Sequence, residues 1–208
     1  MQQAQAQRRS SYAIWIALAI GAIVVISMIG SYNSLVALSQ GVDAQWGQVQ
    51  NVYQRRADLV PNLVATVKGA ANFEKSTYIA VAQARASVGQ LSPDVVKNAT
   101  NDPNAMAQYQ KAQDNLGGAL SRLLVVVENY PQLKANENFL TLQSQLEGTE
   151  NRIAVERRRY NEAAQGFNTR RNTFPTVMYA GLFGQRFNSK SYFQASNAAQ
   201  TAPQVNFP

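Results

Sequence analysis

The sequence predicts an all-α protein, in which an N-terminal single transmembrane helix continues into an antiparallel up-down four-helix bundle of long helices and ends in an irregular aromatic C-terminal tail. Three observations predict it. Tyr12 to Gly30 is almost wholly apolar (YAIWIALAIGAIVVISMIG), inside a stretch from Ser10 to Val42 without one charged residue. Phe139, Leu146, Ile153, Tyr160, Phe167 and Phe174 then recur every seven positions, a spacing that keeps one stripe of a helix facing a partner. Strand-like alternation is scarce throughout. The 208 residues divide into a short cytoplasmic N-terminus at 1–11, a membrane helix at 12–30, a helical bundle domain at 31–175 and a tail at 176–208. A domain of ~175 residues can bury ~70% of its unfolded surface without disulfides.

The 19 apolar residues cover ~28 Å at ~1.5 Å rise, against the ~30 Å hydrocarbon core of a bilayer. Tyr12 and Trp15 lie near the first end of the run, where amphipathic rings favour the headgroup zone. A cleaved signal peptide is the rival reading, with Arg8 and Arg9 as its basic start. Against it, the run exceeds the usual ~7–15-residue apolar core of such a peptide, and GSYNSLVALSQ after it offers no clear A-x-A site. Arg8 and Arg9 stand just before the span, whereas the first basic residues after it are Arg55 and Arg56. By the positive-inside rule the N-terminus stays in the cytoplasm and the bundle domain faces outward from a bacterial inner (cytoplasmic) membrane, periplasmic or extracytoplasmic.

Beyond the span, Leu35, Val42 and Val49 with Leu38, Trp46 and Tyr53 continue the same helix, with no proline between. At RRADLVPNLVATVKG two readings stand: Asp58 caps a new helix with Pro61 in its first turn, or one helix runs through Pro61 with a kink. Val60, Val64, Val67, Tyr78, Val81 and Val88 supply the inner face there. Gly89 to Asn104 is the longest expected loop. The next helix carries Tyr109, Leu116, Leu123 and Tyr130, supported by Leu120 and Val127, between Asp102–Pro103 and Pro131. Pro103 suits a first helical position with Asp102 as cap. The last helix starts at an Asn136 or Asn138 cap and ends by Pro175 at the latest. After it, Phe183, Phe187, Tyr192, Phe193 and Phe207 either dock in a groove of the bundle or a neighbouring molecule, or stay disordered.

The chain has no His and no Cys and carries a net charge of +7. Thiol nucleophiles and His-based triads are therefore excluded, and zinc, haem and iron–sulfur centres disfavoured. A Cys-linked lipid anchor is excluded too. No phosphate-cradling GxxxxGK and no GxSxG occurs, and a di-metal carboxylate bundle would need Glu-x-x-His pairs. No catalytic, cofactor-binding or metal residues are assigned. Gly117 and Gly118 sit inside a helical pattern, which points to close packing or a local bend.

Two groups remain as candidate sites. Arg55, Arg56, Asp58 and Asn62 form the densest polar cluster. It reads either as a partner or anion-binding patch or, preferred, as an ion-pair network. In that network Arg55 or Arg56 pairs with Asp58 or a last-helix glutamate such as Glu150 or Glu156, while Asn62 bonds the backbone freed by Pro61. Arg152, Arg157, Arg158, Arg159, Arg170 and Arg171 form a candidate basic patch in the last third, where the excess positive charge lies. Such a patch attracts anionic lipid or an acidic protein; nucleic acid is not expected outside the cytoplasm.

Specific strings carry a family resemblance. Tyr32-Asn33-x-Leu35-Val36, Trp46, Arg55-Arg56-x-Asp58-Leu59-Val60-Pro61-Asn62-Leu63-Val64, Val67-Lys68-Gly69 and Ala84-Arg85 resemble the LemA family. So do Tyr130-Pro131-x-Leu133-Lys134-Ala135-Asn136, Leu146-Glu147-x-Thr149-Glu150-Asn151-Arg152-Ile153, Arg159-Tyr160-Asn161, Phe174-Pro175 and Gly181-Leu182-Phe183-Gly184. One departure is Phe73, where members commonly carry a His before the acidic residue, here Glu74. The resemblance implies a membrane-anchored helical bundle without established enzymatic activity, in a family described with different membrane orientations. The expected function is a non-enzymatic scaffold or adaptor of the cell envelope, acting through helix-face contact with an envelope protein or with itself. The alternative is an anionic lipid or envelope-polymer binding module using the basic last helix and aromatic tail. No small-molecule substrate is expected.

Overall fold

A computed structural model describes residues 2–70 and 73–195; of residues 2–11 and 13 it describes the backbone alone. Seven α-helices occur among them: α1 (Gln2–Lys68), α2 (Lys75–Gly89), α3 (Pro93–Asn98), α4 (Pro103–Val127), α5 (Pro131–Lys134), α6 (Glu137–Asn172) and α7 (Thr176–Tyr179). Two 3₁₀ turns, Ala180–Phe183 and Gln185–Phe187, follow. No strand occurs among the described residues.

The 67-residue α1 joins two physical regimes. Ile14 to Ile26 are all exposed, and α1 is the one helix among the described residues long and apolar enough to cross a membrane. From Leu35 onward the burial alternates in steps of three and four: Leu35, Ser39, Val42, Trp46, Val49, Tyr53, Arg56, Val60, Leu63 and Val67 are buried. That rhythm is the signature of a helix facing a neighbour along its length.

Of the two readings at Pro61, the continuous helix is the one found, since Pro61 lies inside α1. Asp58 starts no helix; its carboxylate accepts a 2.7 Å hydrogen bond from Gln54 Nε2, one turn earlier. Proline has no N–H for the carbonyl four residues before it, which here is Ala57. Arg85 Nε of α2 donates to that carbonyl at 2.9 Å. Asn62, expected to satisfy this backbone, is exposed and its own carbonyl accepts from the Thr66 hydroxyl. A long guanidinium from the neighbouring helix reaches a buried carbonyl that a side chain pointing to solvent does not.

The other starts follow local chemistry. Ser92 Oγ accepts from Val95 N–H at the start of α3, Asp102 Oδ1 from Asn104 N–H before α4, and Asn136 Oδ1 from Phe139 N–H before α6. Each satisfies one otherwise orphaned donor. The expected Gly89–Asn104 loop contains α3, because Pro93 behind the Ser92 cap favours a helical first turn. The long helices expected are found in α4 (25 residues) and α6 (36), whereas α2 has only 15.

Two close helix pairs, α1 with α6 and α2 with α4, are joined through α1 against α2, whereas α4 and α6 scarcely approach backbone to backbone. Along α1 the partners on α6 run in reverse order, from Arg170 at Ser34 to Glu150 at Arg56. The interior forms two clusters. One gathers Leu35, Val42, Trp46, Tyr53, Tyr109, Tyr160 and Phe167; the other gathers Val60, Leu63, Val81, Leu116, Leu123, Phe139 and Leu146.

Residues 176–195 carry more local structure than the irregular tail expected there. Residues 176–187 form short turns, and residues up to Ala195 lie on the helices, with Phe187 and Phe193 buried. Phe207 lies outside the described residues. Helical periodicity could not find turns this brief; they are held by Phe183 and Phe187 against Tyr32, ring centroids 5.2 and 5.5 Å apart.

Leu123 is 0% exposed and Val125, two positions on in α4, is 68% exposed. Leu123→Ala is expected to cost ~2–5 kcal/mol and Val125→Ala to stay within ~0.5 kcal/mol of the parent, read from denaturation midpoints of the full chain in detergent.

Candidate functional site

The four residues of the Arg55 cluster separate onto two faces of α1. Arg55, Asp58 and Asn62 are exposed, while Arg56 is 3% exposed and faces inward. It occupies a core position between Tyr53 and Val60. Arg56 Nη1 donates to Glu150 Oε1 of α6 at 2.9 Å. Nη2 donates to both the backbone carbonyl and Oε1 of Gln113 on α4, at 2.7 and 2.8 Å, and the guanidinium lies 5.1 Å from the Tyr53 ring centroid. Arg56 Nε and the Tyr53 hydroxyl are buried without a hydrogen-bond partner among the described residues. Glu156, the other carboxylate considered for this network, pairs with Arg159 instead.

One guanidinium thus ties three helices together. Its approach to α4 is tightest at a glycine: a Cβ on Gly117 would lie 3.2 Å from Arg56 Nη1, whereas one on Gly118 would meet nothing within 4 Å. Gly117 is a packing glycine.

Above this network lies a cleft between α4 and α6 of about 750 Å³, floored by Tyr53, Arg56, Gly117 and Gly118 and flanked by Leu120, Leu124, Leu146 and Ile153. Asp114, Glu147, Glu150 and Arg157 ring it. Towards the Trp46 end, residues 189–195 occupy the gap between the same helices. Three amide side chains each grip one tail residue by both backbone groups. Asn168 accepts from Lys190 N–H at 2.7 Å and donates to its carbonyl at 2.9 Å. Asn161 does the same with Phe193, at 2.9 Å each way, and Gln110 with Gln194, at 3.1 and 2.8 Å. Tyr160 donates to the Ser191 carbonyl and Arg157 to that of Gln194. Sequence reading assigned no role to Asn161, Asn168, Gln110 and Gln113; the available signals were the Arg159-Tyr160-Asn161 string and the seven-residue spacing of Asn161 and Asn168 beside Tyr160 and Phe167.

The six arginines of the basic patch do not form one surface. Arg157 is spent on Asp114, at 3.6 Å, and lies 4.8 Å from the Phe193 ring centroid. Arg170 bonds Ser34, and Arg171 donates to the Phe187 carbonyl at 2.6 Å. Arg158 and Arg159 are exposed beside Glu162 and Glu156, and Arg152 is exposed. Among the described residues no three acidic side chains converge as a metal site would require.

Burial pushes the hydroxyls of Tyr53, Tyr109 and Tyr160 up from the ordinary value of 10.0. Lys190 is moved down, mainly by burial, with Asp43 opposing; its Nζ donates to Asn101 Oδ1 at 2.8 Å.

The LemA family model matches residues 45–207 of the chain. Magnetosome protein MamQ 2 of Paramagnetospirillum magneticum is 26% identical over 191 residues, which span 85% of this chain and 70% of that protein. Magnetosome protein MamQ of Magnetospirillum gryphiswaldense is 24% identical, over 87% of this chain and 72% of that one. Protein LemA of Metamycoplasma hominis is 26% identical over 71% of this chain and 63% of its own length.

Two expectations follow. Gly118→Ala gains ~1 kcal/mol from helix propensity, and Gly117→Ala gains less because it presses on a guanidinium held by three bonds; chemical denaturation of both variants measures the difference. For pH, the three tyrosines keep their protons above pH ~10 while the unfolded chain loses its own, so stability falls there by up to ~4 kcal/mol per pH unit. Lys190 acts in the opposite sense: between its lowered value and 10.5 the folded chain binds fewer protons, and stability rises with pH. Tyr109→Phe is expected to remove about a third of the alkaline fall, followed by denaturation at stepped pH with tyrosinate absorbance alongside.

Proposed function

From the premise that this chain belongs to the LemA family, we propose that it is a non-enzymatic scaffold or adaptor of the bacterial cell envelope, anchored in the cytoplasmic membrane by residues 12–30. Residues 31–175 act as an antiparallel four-helix bundle on the outer side, with residues 1–11 in the cytoplasm and residues 176–208 as a tail. It works by helix-face recognition of an envelope protein or of a second copy, not by turnover.

The observation that carries this reading is the gap between α4 and α6. Its Trp46 end already takes up an extended segment through paired amide bonds to the backbone, and its far end is open beside Arg56 among the described residues. Backbone recognition by side-chain amides admits many sequences, with apolar walls and carboxylates selecting among them. The fate of the charged residues supports the same view: Arg56, Arg157, Arg170 and Arg171 hold the architecture and are not aimed at a common reacting point.

The alternative, binding of anionic lipid or envelope polymer by the last helix and tail, is favoured by one placement. Arg170 lies at Ser34, a few residues beyond the apolar run, so the basic end of α6 is the membrane-proximal one.

Photocrosslinking in native membranes separates the two. A crosslinker at Ser121, Leu124 or Asn151, which line the cleft, is expected to give discrete protein adducts, and one at Gln83 or Ser87 on α2 none. Adducts that do not differ between the two faces overturn the scaffold reading. Lipid adducts from Asn172 and Arg186, which are exposed at the membrane-proximal end, with no protein adducts from the cleft favour the alternative.

A further inference from the structure

We propose that Phe174 to Leu182 is a membrane foot, which lays Phe174, Val177, Met178 and Leu182 onto the bilayer interface where α1 leaves the membrane. The proposal rests on the reading of residues 12–30 as a membrane span.

These four side chains are 73%, 49%, 64% and 74% exposed. Soluble surfaces seldom gather large apolar groups within one short segment. They are not the product of a loose loop, because the opposite side of the same segment is packed: Thr176, Ala180 and Phe187 are buried at 0%, 3% and 1%. α7 touches both α1 and α6. The segment therefore holds its apolar side outward by design of its packing.

Its height is fixed by α1. The Thr176 hydroxyl lies 3.4 Å from that of Ser31, and the Tyr32 ring meets Phe183 and Phe187. Ser31 directly follows the apolar run. Ser27 and Met28, in its last turn, are the first of its described side chains to be partly covered. At ~1.5 Å rise per residue, the foot sits within about one helical turn of the end of the span.

Charge agrees with this placement. Residues 163–195 contain no Asp or Glu, while Arg170, Arg171, Arg186 and Lys190 are basic, with Arg186 exposed. An apolar face flanked by arginine and free of carboxylates suits the zone of anionic headgroups. A surface evolved for a second copy carries no need to sit level with the end of a span.

The chain has no cysteine, so a single introduced thiol is unique. Met178→Cys, Leu182→Cys, Leu140→Cys and Ile20→Cys are each spin-labelled in the full chain, reconstituted in phosphatidylethanolamine–phosphatidylglycerol vesicles. Circular dichroism establishes unchanged helix content. Power saturation then compares access to oxygen, which partitions into lipid, with access to a water-soluble nickel complex. The oxygen-to-nickel ratio at 178 and 182 is expected to exceed that at 140 several-fold and to fall short of that at 20. Ratios at 178 and 182 equal to that at 140, with 20 in lipid, overturn the foot and leave the anchor standing. A water-accessible 20 overturns the anchor and the foot with it. Strong dipolar coupling between labels on separate copies, without oxygen enrichment, overturns the lipid assignment in favour of self-association.

Discussion

The buried guanidinium of Arg56 is the constraint around which the rest is arranged. A charge at 3% exposure costs several kcal/mol to desolvate, and its partners must return most of that. Glu150, the Gln113 side chain and the Gln113 carbonyl do so from two different helices. The pair is a weak source of stability, because Glu150 is itself half in solvent at 47%. Its consequence is register. Arg56 falls in the same three-and-four series as Val49, Val60 and Leu63, so a slide of α1 by one turn would place the charge among the apolar side chains of either cluster, with no acceptor in reach.

That layer also explains why α4 and α6 stand apart. Arg56 reaches up between them from α1, Gly117 gives it room, and no large side chain closes the space above. Towards the Trp46 end the same gap is closed differently, by residues 189–195 with Phe193 seated against Trp46, Tyr53 and Tyr160. The arginines that gave the last helix its basic appearance are largely the fastenings of this arrangement. A charge run read from sequence as one basic patch proves to be split between structure and surface.

The sequence made the long helices legible because burial on one side of a helix leaves a regular trace: the heptad positions of α4 and α6, the Asp102 and Asn136 caps and the apolar run all left such traces. What stayed hidden was the chemistry that crosses between helices. The seven-residue series of Leu35, Val42 and Val49 continues at Arg56 and so turns it inward in place of Arg55, but no local pattern names Gln113 and Glu150 as its partners. Nor does any pattern link Arg85 to the carbonyl exposed by Pro61 28 residues earlier, or Asn161 to Phe193 32 residues later. The turns after Pro175 were invisible for a related reason, since they are shorter than a helical repeat and exist only because Tyr32 offers them a surface.

The tail connects the two ends of the molecule's surface chemistry. It leaves the segment beside Ser31, passes Asn168, Tyr160 and Asn161 in turn, and arrives at Gln110 and Arg157 on the brink of the open cleft. Any ligand that extended further along the gap would meet Gln110 and Arg157 first, and those groups are already committed to the Gln194 carbonyl. To enter the gap itself it would have to displace residues 189–195. Displacement would free Phe193 from a pocket of three aromatic rings and expose apolar area, a cost that only an equally apolar side chain in the same pocket would offset. The paired amides and the Phe193 pocket therefore hold residues 189–195 in the gap, so that these residues and the cleft beside Arg56 form one continuous surface.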